Sequence, residues 1–245
     1  MEIQCISING VPAVIWGAPS TKMYLYIHGQ GGYKEEGKLF AEIATKYGYQ
    51  VLSIDLPEHG ERQNRGPSLT PWNVIPELVG VMSFCKQQWE TISLLANSIG
   101  AWFSLLSFSN HTLQTGLFVS PVVDMVELIH DMMTWAGVSE AQLEKEREIP
   151  TSFGQTLSWK YLQYAKAHPI KQWNTPTKIL YGEQDALIKH STIEDFCKAY
   201  QCELTIMKDG EHWFHTKKQL DVLTEWVERS LSDEYPQKDG KPLLI

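Results

Sequence analysis

The chain has 245 residues, enough for one large α/β domain or two small ones, and is 43% hydrophobic and 20% charged, the balance of a globular protein with a sizeable core. A formal net charge of −8 argues against a nucleic-acid partner and against an electrostatic membrane anchor, since both need a basic surface. No apolar run is long enough to span a bilayer, Met1-Glu2-Ile3-Gln4 does not read as a signal peptide, and a cytoplasmic location is expected.

Ile3 to Ile8 and Val11 to Trp16 flank Asn9-Gly10, which predicts a tight hairpin. Met23 to Ile27 is a short strand running into His28-Gly29-Gln30-Gly31-Gly32. The helix after it places Leu39, Phe40, Ile43, Ala44 and Tyr47 on one face and stops at Gly48. Tyr49 to Leu56 is the next strand. Thr70-Pro71 opens a helix with an expected buried stripe of Ile75, Leu78, Val79, Met82 and Cys85. Thr91 to Leu95 is the strand before Ala96-Asn97-Ser98-Ile99-Gly100, and Thr115 to Ser120 is another. Further on come a strand from Thr177 to Tyr181, a helix from Ser191 to Tyr200 with a Ser191–Glu194 capping box, and a strand from Glu203 to Met207. Leu220, Leu223, Val227 and Leu231 mark a closing helix, and the polar tail from Ser232 to Ile245 is expected to be irregular. Cys5, Cys85, Cys197 and Cys202 form no C-x-x-C, so buried free thiols are expected and no metal or redox site.

Strands alternating with helices imply a mostly parallel sheet covered on both faces. In such sheets the site lies beyond the carboxyl ends of the strands. That places His28 to Gly32, Asp55 to Gly60, Ser98, Pro121 to Asp124 and Gly182 to Asp185 along one rim. The alternation breaks between 122 and 173. Helices are expected over Val122 to Trp135, Ser139 to Glu148 and Ser158 to Ala167, with Pro150 to Gly154 a loop. The interval is too long for a connection and reads as a cap over the rim. Its aromatics, among them Trp135, Phe153, Trp159, Tyr161, Tyr164 and Trp173, form either the cap's own core or an aromatic-lined pocket above Ser98. Trp135 and Trp159 are the candidate substrate contacts.

Ser98 sits where a strand meets a helix, in a pentapeptide that is G-x-S-x-G with Ala96 for the first glycine. Such a turn strains the serine backbone and exposes its hydroxyl; the plain alternative is a helix-capping serine. A nucleophilic serine needs a base, and the base an orienting acid. Asp185 and His212 follow Ser98 in that order, each in a loop after a strand. Asp124 and His215 are the rivals, while Glu183 and Asp209 read as turn residues and the other histidines as structural or surface groups. The Ile99 N–H at the helix start and the Gln30 N–H are the expected oxyanion donors, with Gly31 the second choice for the latter.

Five segments together resemble the α/β-hydrolase superfamily: His28 to Gly32, Asp55-Leu56-Pro57-Glu58-His59-Gly60-Glu61-Arg62, the Ser98 elbow, Tyr181 to Asp185 and Gly210-Glu211-His212. The chain is similar to its capped serine esterases and monoglyceride-lipase-like members. The resemblance implies a single α/β-hydrolase domain over 1–245 with a cap insertion at about 122–173. It implies a serine hydrolase cleaving a small carboxylic ester through an acyl-serine, with catalytic Ser98, Asp185 and His212, and with no metal or organic cofactor. Thioesterase, amidase or peptidase, acyltransferase and non-catalytic binding members of the fold are the alternatives. The Asp55 to Arg62 segment is expected to be a structural loop near the site, with Glu58 where relatives often have Gly. The insertion resembles in length and placement that of cinnamoyl- and feruloyl-esterase relatives.

Overall fold

Asn9 and Gly10 adopt φ of 52° and 88°, a pair of left-handed residues that suits the twist of a two-residue hairpin. They join β1 (Ile3–Ile8) to β2 (Val11–Trp16), with Ile8 opposite Val11. This is a computed structural model, and it describes residues 1–234. The chain continues as β3 (Lys22–Ile27), α1 (Gly37–Ala44), β4 (Gln50–Ile54), α2 (Pro71–Gln88), β5 (Thr91–Asn97), α3 (Ile99–Phe108) and β6 (Gly116–Val119). Between β6 and the next strand of the main sheet lie α4 (Met125–Ala136), α5 (Glu140–Glu146), β7 (Glu148–Pro150), β8 (Thr156–Ser158) and α6 (Trp159–Ala167). The order ends with β9 (Thr177–Gly182), α7 (His190–Tyr200), β10 (Glu203–Met207) and α8 (Lys217–Glu234).

Eight strands form one sheet in the order β1-β2-β4-β3-β5-β6-β9-β10, and β7 pairs with β8 in a separate hairpin. The β1–β2 and β2–β4 pairs are antiparallel and the remaining pairs of the main sheet parallel. Alternate residues of a strand face opposite sides. In β3, Met23, Leu25 and Ile27 enter the core beneath α2, α3 and α7, while Tyr24 and Tyr26 enter the one beneath α1 and α8. Burial on both faces is why β3 reads as a continuous apolar run. Removing one such side chain, as in Leu25→Ala, is expected to cost about 2–5 kcal/mol.

Several local expectations are corrected. The buried stripe of α2 is Val74, Leu78, Val81, Met82 and Cys85; Val79 faces outward and Ile75 is half-buried. Apolar residues at 74, 75, 78, 79, 81 and 82 permit two faces, and packing selects the one rotated by a residue. Leu39 of α1 is also exposed. Helix α7 starts at His190 with Lys189 at its cap, so no Ser191–Glu194 box forms. The turn leading to it is held by the Asp185 carboxylate, which accepts the Leu187 and Ile188 N–H groups. Arg147, at φ 69°, ends α5 early, and the expected loop from Pro150 to Gly154 is the turn of the β7–β8 hairpin. All four thiols are free, but Cys5 is exposed on the edge strand β1 and Cys202 is half-buried. The expected irregular tail overlaps α8 as far as Glu234, and 235–245 lie outside the described residues. Among the described residues no helix is long and apolar enough to cross a membrane.

Candidate active site

Ser98 stands between β5 and α3 with φ 48° and ψ −121°, a sparsely populated conformation for a side-chain-bearing residue. Its surroundings over-determine that strain. A Cβ on Gly100 would lie 2.4 Å from the His28 carbonyl oxygen, so α3 approaches the β3 loop only with glycine there. A Cβ on Gly29 would lie 3.1 Å from that of Ser98. Ala96, by contrast, sits inside β5 opposite Ile27 with its methyl group buried, so the turn requires no glycine at that position.

Ser98 Oγ lies 2.8 Å from His212 Nε2, and His212 Nδ1 lies 2.7 Å from Asp185 Oδ2. The Asp185 side chain is 0% exposed and that of His212 16%. The other carboxylate oxygen, Oδ1, accepts N–H bonds from Leu187 at 2.8 Å and Ile188 at 2.9 Å. A carboxylate has no proton to give, so His212 carries its proton on Nδ1 and turns the Nε2 lone pair toward the serine hydroxyl.

Backbone contacts bring the two loops together. The Glu183 N–H donates to the Met207 carbonyl at 3.0 Å, and the Gln184 N–H to that of Gly210 at 2.7 Å. A Cβ on Gly182 would fall 2.5 Å from the Glu211 carbonyl oxygen, so the end of β9 can meet the histidine loop only as glycine. Glu183 and Asp209 serve this turn, with the Asp209 N–H on Glu183 Oε2 at 3.2 Å.

The rivals lie elsewhere. Asp124 is the exposed cap of α4, accepting the Glu127 N–H at 2.9 Å. His215 donates to the Trp213 carbonyl and stacks on that indole with centroids 4.5 Å apart. Ile99 is the first residue of α3, and its N–H has no intrahelical acceptor. Gln30 sits in an exposed turn closed by the Gly32 N–H on the Gly29 carbonyl. The Gly31 N–H is already taken by His59 Nε2 at 2.8 Å.

The Asp55 to Arg62 segment holds these loops. Buried Asp55 accepts the Lys34 N–H at 2.8 Å, the Glu61 N–H at 3.0 Å and Lys34 Nζ at 3.0 Å. Burial lowers the Lys34 pKa, but the carboxylates of Glu61, Glu35 and Asp55 outweigh it and leave the ammonium above its ordinary range. Arg62 forms a two-pronged pair with Glu77 of α2 at 2.7 Å on both nitrogens. Burial, above all, pushes the His28 pKa down to about 4, so this ring is neutral near pH 7.

Of the candidate substrate contacts, Trp135 is 49% exposed and lies edge-on to Phe153. Trp159 is half-buried and packs against the core. Tyr161 stacks on Trp102, one turn along α3 from Ser98, and Tyr161 and Tyr164 both meet Trp72 of α2. Trp173 is buried and donates to Thr177 Oγ1 at 2.7 Å, a structural role. Sequence reasoning overlooked Lys34 and the 72%-exposed Trp213 beside His212; a lysine at the entry to a helix reads as solvated, and a lone tryptophan as core.

No family model and no curated protein matches the chain. Solved structures do. Est1E from Butyrivibrio proteoclasticus with ferulic acid bound is similar at TM-score 0.74 and 18% identity, covering 96% of this chain and 100% of that one. The mouse α/β hydrolase domain-containing protein 10 is similar at TM-score 0.73 and 12% identity, with 96% and 100% covered. An α/β serine hydrolase without lid from Xanthomonas campestris is similar at TM-score 0.63 and 16% identity, with 97% of each chain covered. Strand order, crossovers and these likenesses agree: the chain adopts the α/β-hydrolase fold.

Proposed function

We propose that the chain is a serine hydrolase that cleaves a small carboxylic ester through an acyl-serine intermediate. The observation that carries this reading is the continuous relay from Ser98 Oγ through His212 to Asp185, at 2.8 and 2.7 Å. Ser98 Oγ attacks the ester carbonyl while His212 Nε2 takes its proton. The negative charge that develops on the carbonyl oxygen is held by the Ile99 and Gln30 N–H groups. His212 then gives its proton to the departing alkoxide, and Asp185 stabilises the imidazolium in between. A water molecule, deprotonated by His212, releases the acid and restores Ser98. The chemistry calls for no metal and no organic cofactor.

In this reading 1–245 is one domain and 122–173 is its cap, with Trp135 and Trp159 facing the substrate. The stacking of Tyr161 on Trp102 supports a cap seated beside the nucleophile. The four free thiols support a cytoplasmic location, and the net charge of −8 supports a partner other than nucleic acid. The test is a fluorophosphonate probe, expected to label Ser98 on native protein and not after heating or in Ser98→Ala. Failure to label folded protein in several buffers would favour a binding member of the fold.

A further inference from the structure

The Gly29–Gly32 turn has Gln30 and Gly31 at its centre, and only Gly31 has a left-handed φ, +78°. That is the pattern of a type II turn, which differs from type I by a flip of the central peptide, here the one linking Gln30 to Gly31. Glycine permits both forms, and a Cβ on Gly31 would meet nothing within 4 Å, so steric packing does not choose between them.

A side chain from another loop makes the choice. The Gly31 N–H donates to His59 Nε2 at 2.8 Å, and His59 Nδ1 lies 2.7 Å from the Pro57 carbonyl. A carbonyl only accepts, so the ring proton is on Nδ1 and Nε2 offers a lone pair. His59 is buried, which fixes that lone pair in direction. The contact is reciprocated: His28 Nε2 accepts the Leu56 N–H at 3.0 Å and its Nδ1 meets the Gly29 carbonyl at 2.7 Å. Each loop thus lends a histidine to the other, and Gly29 lies against Ser98.

We propose that His59 is a positioning residue for the oxyanion hole: by holding the Gly31 N–H it locks the turn and fixes the direction of the neighbouring Gln30 N–H. This inference rests on the serine-hydrolase reading above. Losing one oxyanion donor outright costs about 10²–10³ in kcat, and a donor left in place but unanchored loses part of that, about 10-fold. Because the oxyanion exists only after attack, the loss falls on kcat and on kcat/KM alike, with KM little changed.

The experiment compares wild type, His59→Ala and His59→Gln in p-nitrophenyl acetate turnover and in the rate of fluorophosphonate labelling at Ser98. His59→Ala is expected to lose about 10-fold in kcat and in labelling rate, with KM within about twofold. His59→Gln, whose amide oxygen can accept the same N–H, is expected to recover most of the loss. A merely structural histidine would lower Tm in both variants without this split. An Ala variant as fast as wild type, or Ala and Gln variants equally slow, overturns the proposal. Through-hydrogen-bond coupling between the Gly31 amide nitrogen and His59 Nε2 in 15N-labelled wild type provides a check that needs no variant to fold. Its presence is expected, and its absence also overturns the proposal. If wild type itself is not labelled at Ser98, the hydrolase reading fails and this one with it; if wild type is labelled, an adverse result strikes His59 alone.

Discussion

Asp185 meets His212 with one carboxylate oxygen and the turn before α7 with the other. Oδ2 lies 2.7 Å from His212 Nδ1 while Oδ1 accepts the N–H groups of Leu187 and Ile188. One side chain therefore fixes the His212 ring and organises the loop that carries it. The backbone bonds fix the carboxylate's rotamer.

Asp185→Asn is expected to reduce kcat by up to about 10⁴-fold, because an amide in place of the carboxylate favours the wrong histidine tautomer. Asp124→Asn is expected to leave the rate near wild type, since asparagine caps a helix about as well as aspartate. Steady-state rates on one p-nitrophenyl ester decide the matter, and a crippled Asp124→Asn would move the acid to the other loop.

Ser98→Gly is expected to abolish ester turnover and yet raise stability by about 1 kcal/mol. A side-chain-bearing residue in such a conformation carries about 1–3 kcal/mol of strain, and glycine relieves it at an entropic penalty of up to about 1 kcal/mol. Ser98→Ala, which keeps a Cβ, is the control. Urea midpoints that rank Gly at or below Ala would mean that the elbow stores no strain.

Lys34→Met leaves the buried Asp55 carboxylate without its ammonium partner. Breaking a buried pair from one side costs about 3–5 kcal/mol, and the N–H bonds that Asp55 keeps place this case near about 3. Denaturant unfolding of the two proteins reads the difference directly; a change below about 1 kcal/mol would assign the work to those backbone bonds instead.

Acid should weaken the protein through His28. Its folded pKa, about 4, lies below the ordinary 6.5, so the unfolded chain takes up the proton first. The contribution is full above about pH 6.5 and falls away between there and about 4, on the order of 3 kcal/mol in total. Urea unfolding from pH 7 to 4.5 should show a smaller acid loss in His28→Gln than in wild type, and equal losses would exclude this residue as the source.

Substrate length is expected to be read by the insertion. Each methylene buried in an acyl pocket gains about 0.8 kcal/mol, so KM should rise as the acyl chain shortens. A series from acetate to palmitate, with one hydroxycinnamate ester, should change its profile in Trp159→Ala and in Trp135→Ala. Profiles unchanged in both would return these tryptophans to a purely structural role. Rapid hydrolysis of long-chain triglycerides would contradict a compact cap.

The strand–helix alternation, the hairpin at Asn9-Gly10 and the order Ser98, Asp185, His212 were legible in the sequence. These are local signals, set by side-chain periodicity, turn chemistry and chain order. What tertiary structure decided were the choices that local chemistry leaves degenerate. Apolar residues on both sides of α2 allow two buried faces, and the core took the one with Val74 and Val81. Ser191 and Glu194 have the spacing of a capping box, but the helix starts at His190 and takes Ser191 into its first turn. Asp124 and Asp185 are equivalent as sequence, each an acid after a strand, until distance separates a helix cap from a partner 2.7 Å from His212. Gln30 and Gly31 are likewise adjacent candidates, and the structure shows the Gly31 N–H bonded to His59. Periodicity carries each residue's own preference along the chain, whereas a contact between residues 28 apart is set by the pairing of β3 with β4, whose ends carry them.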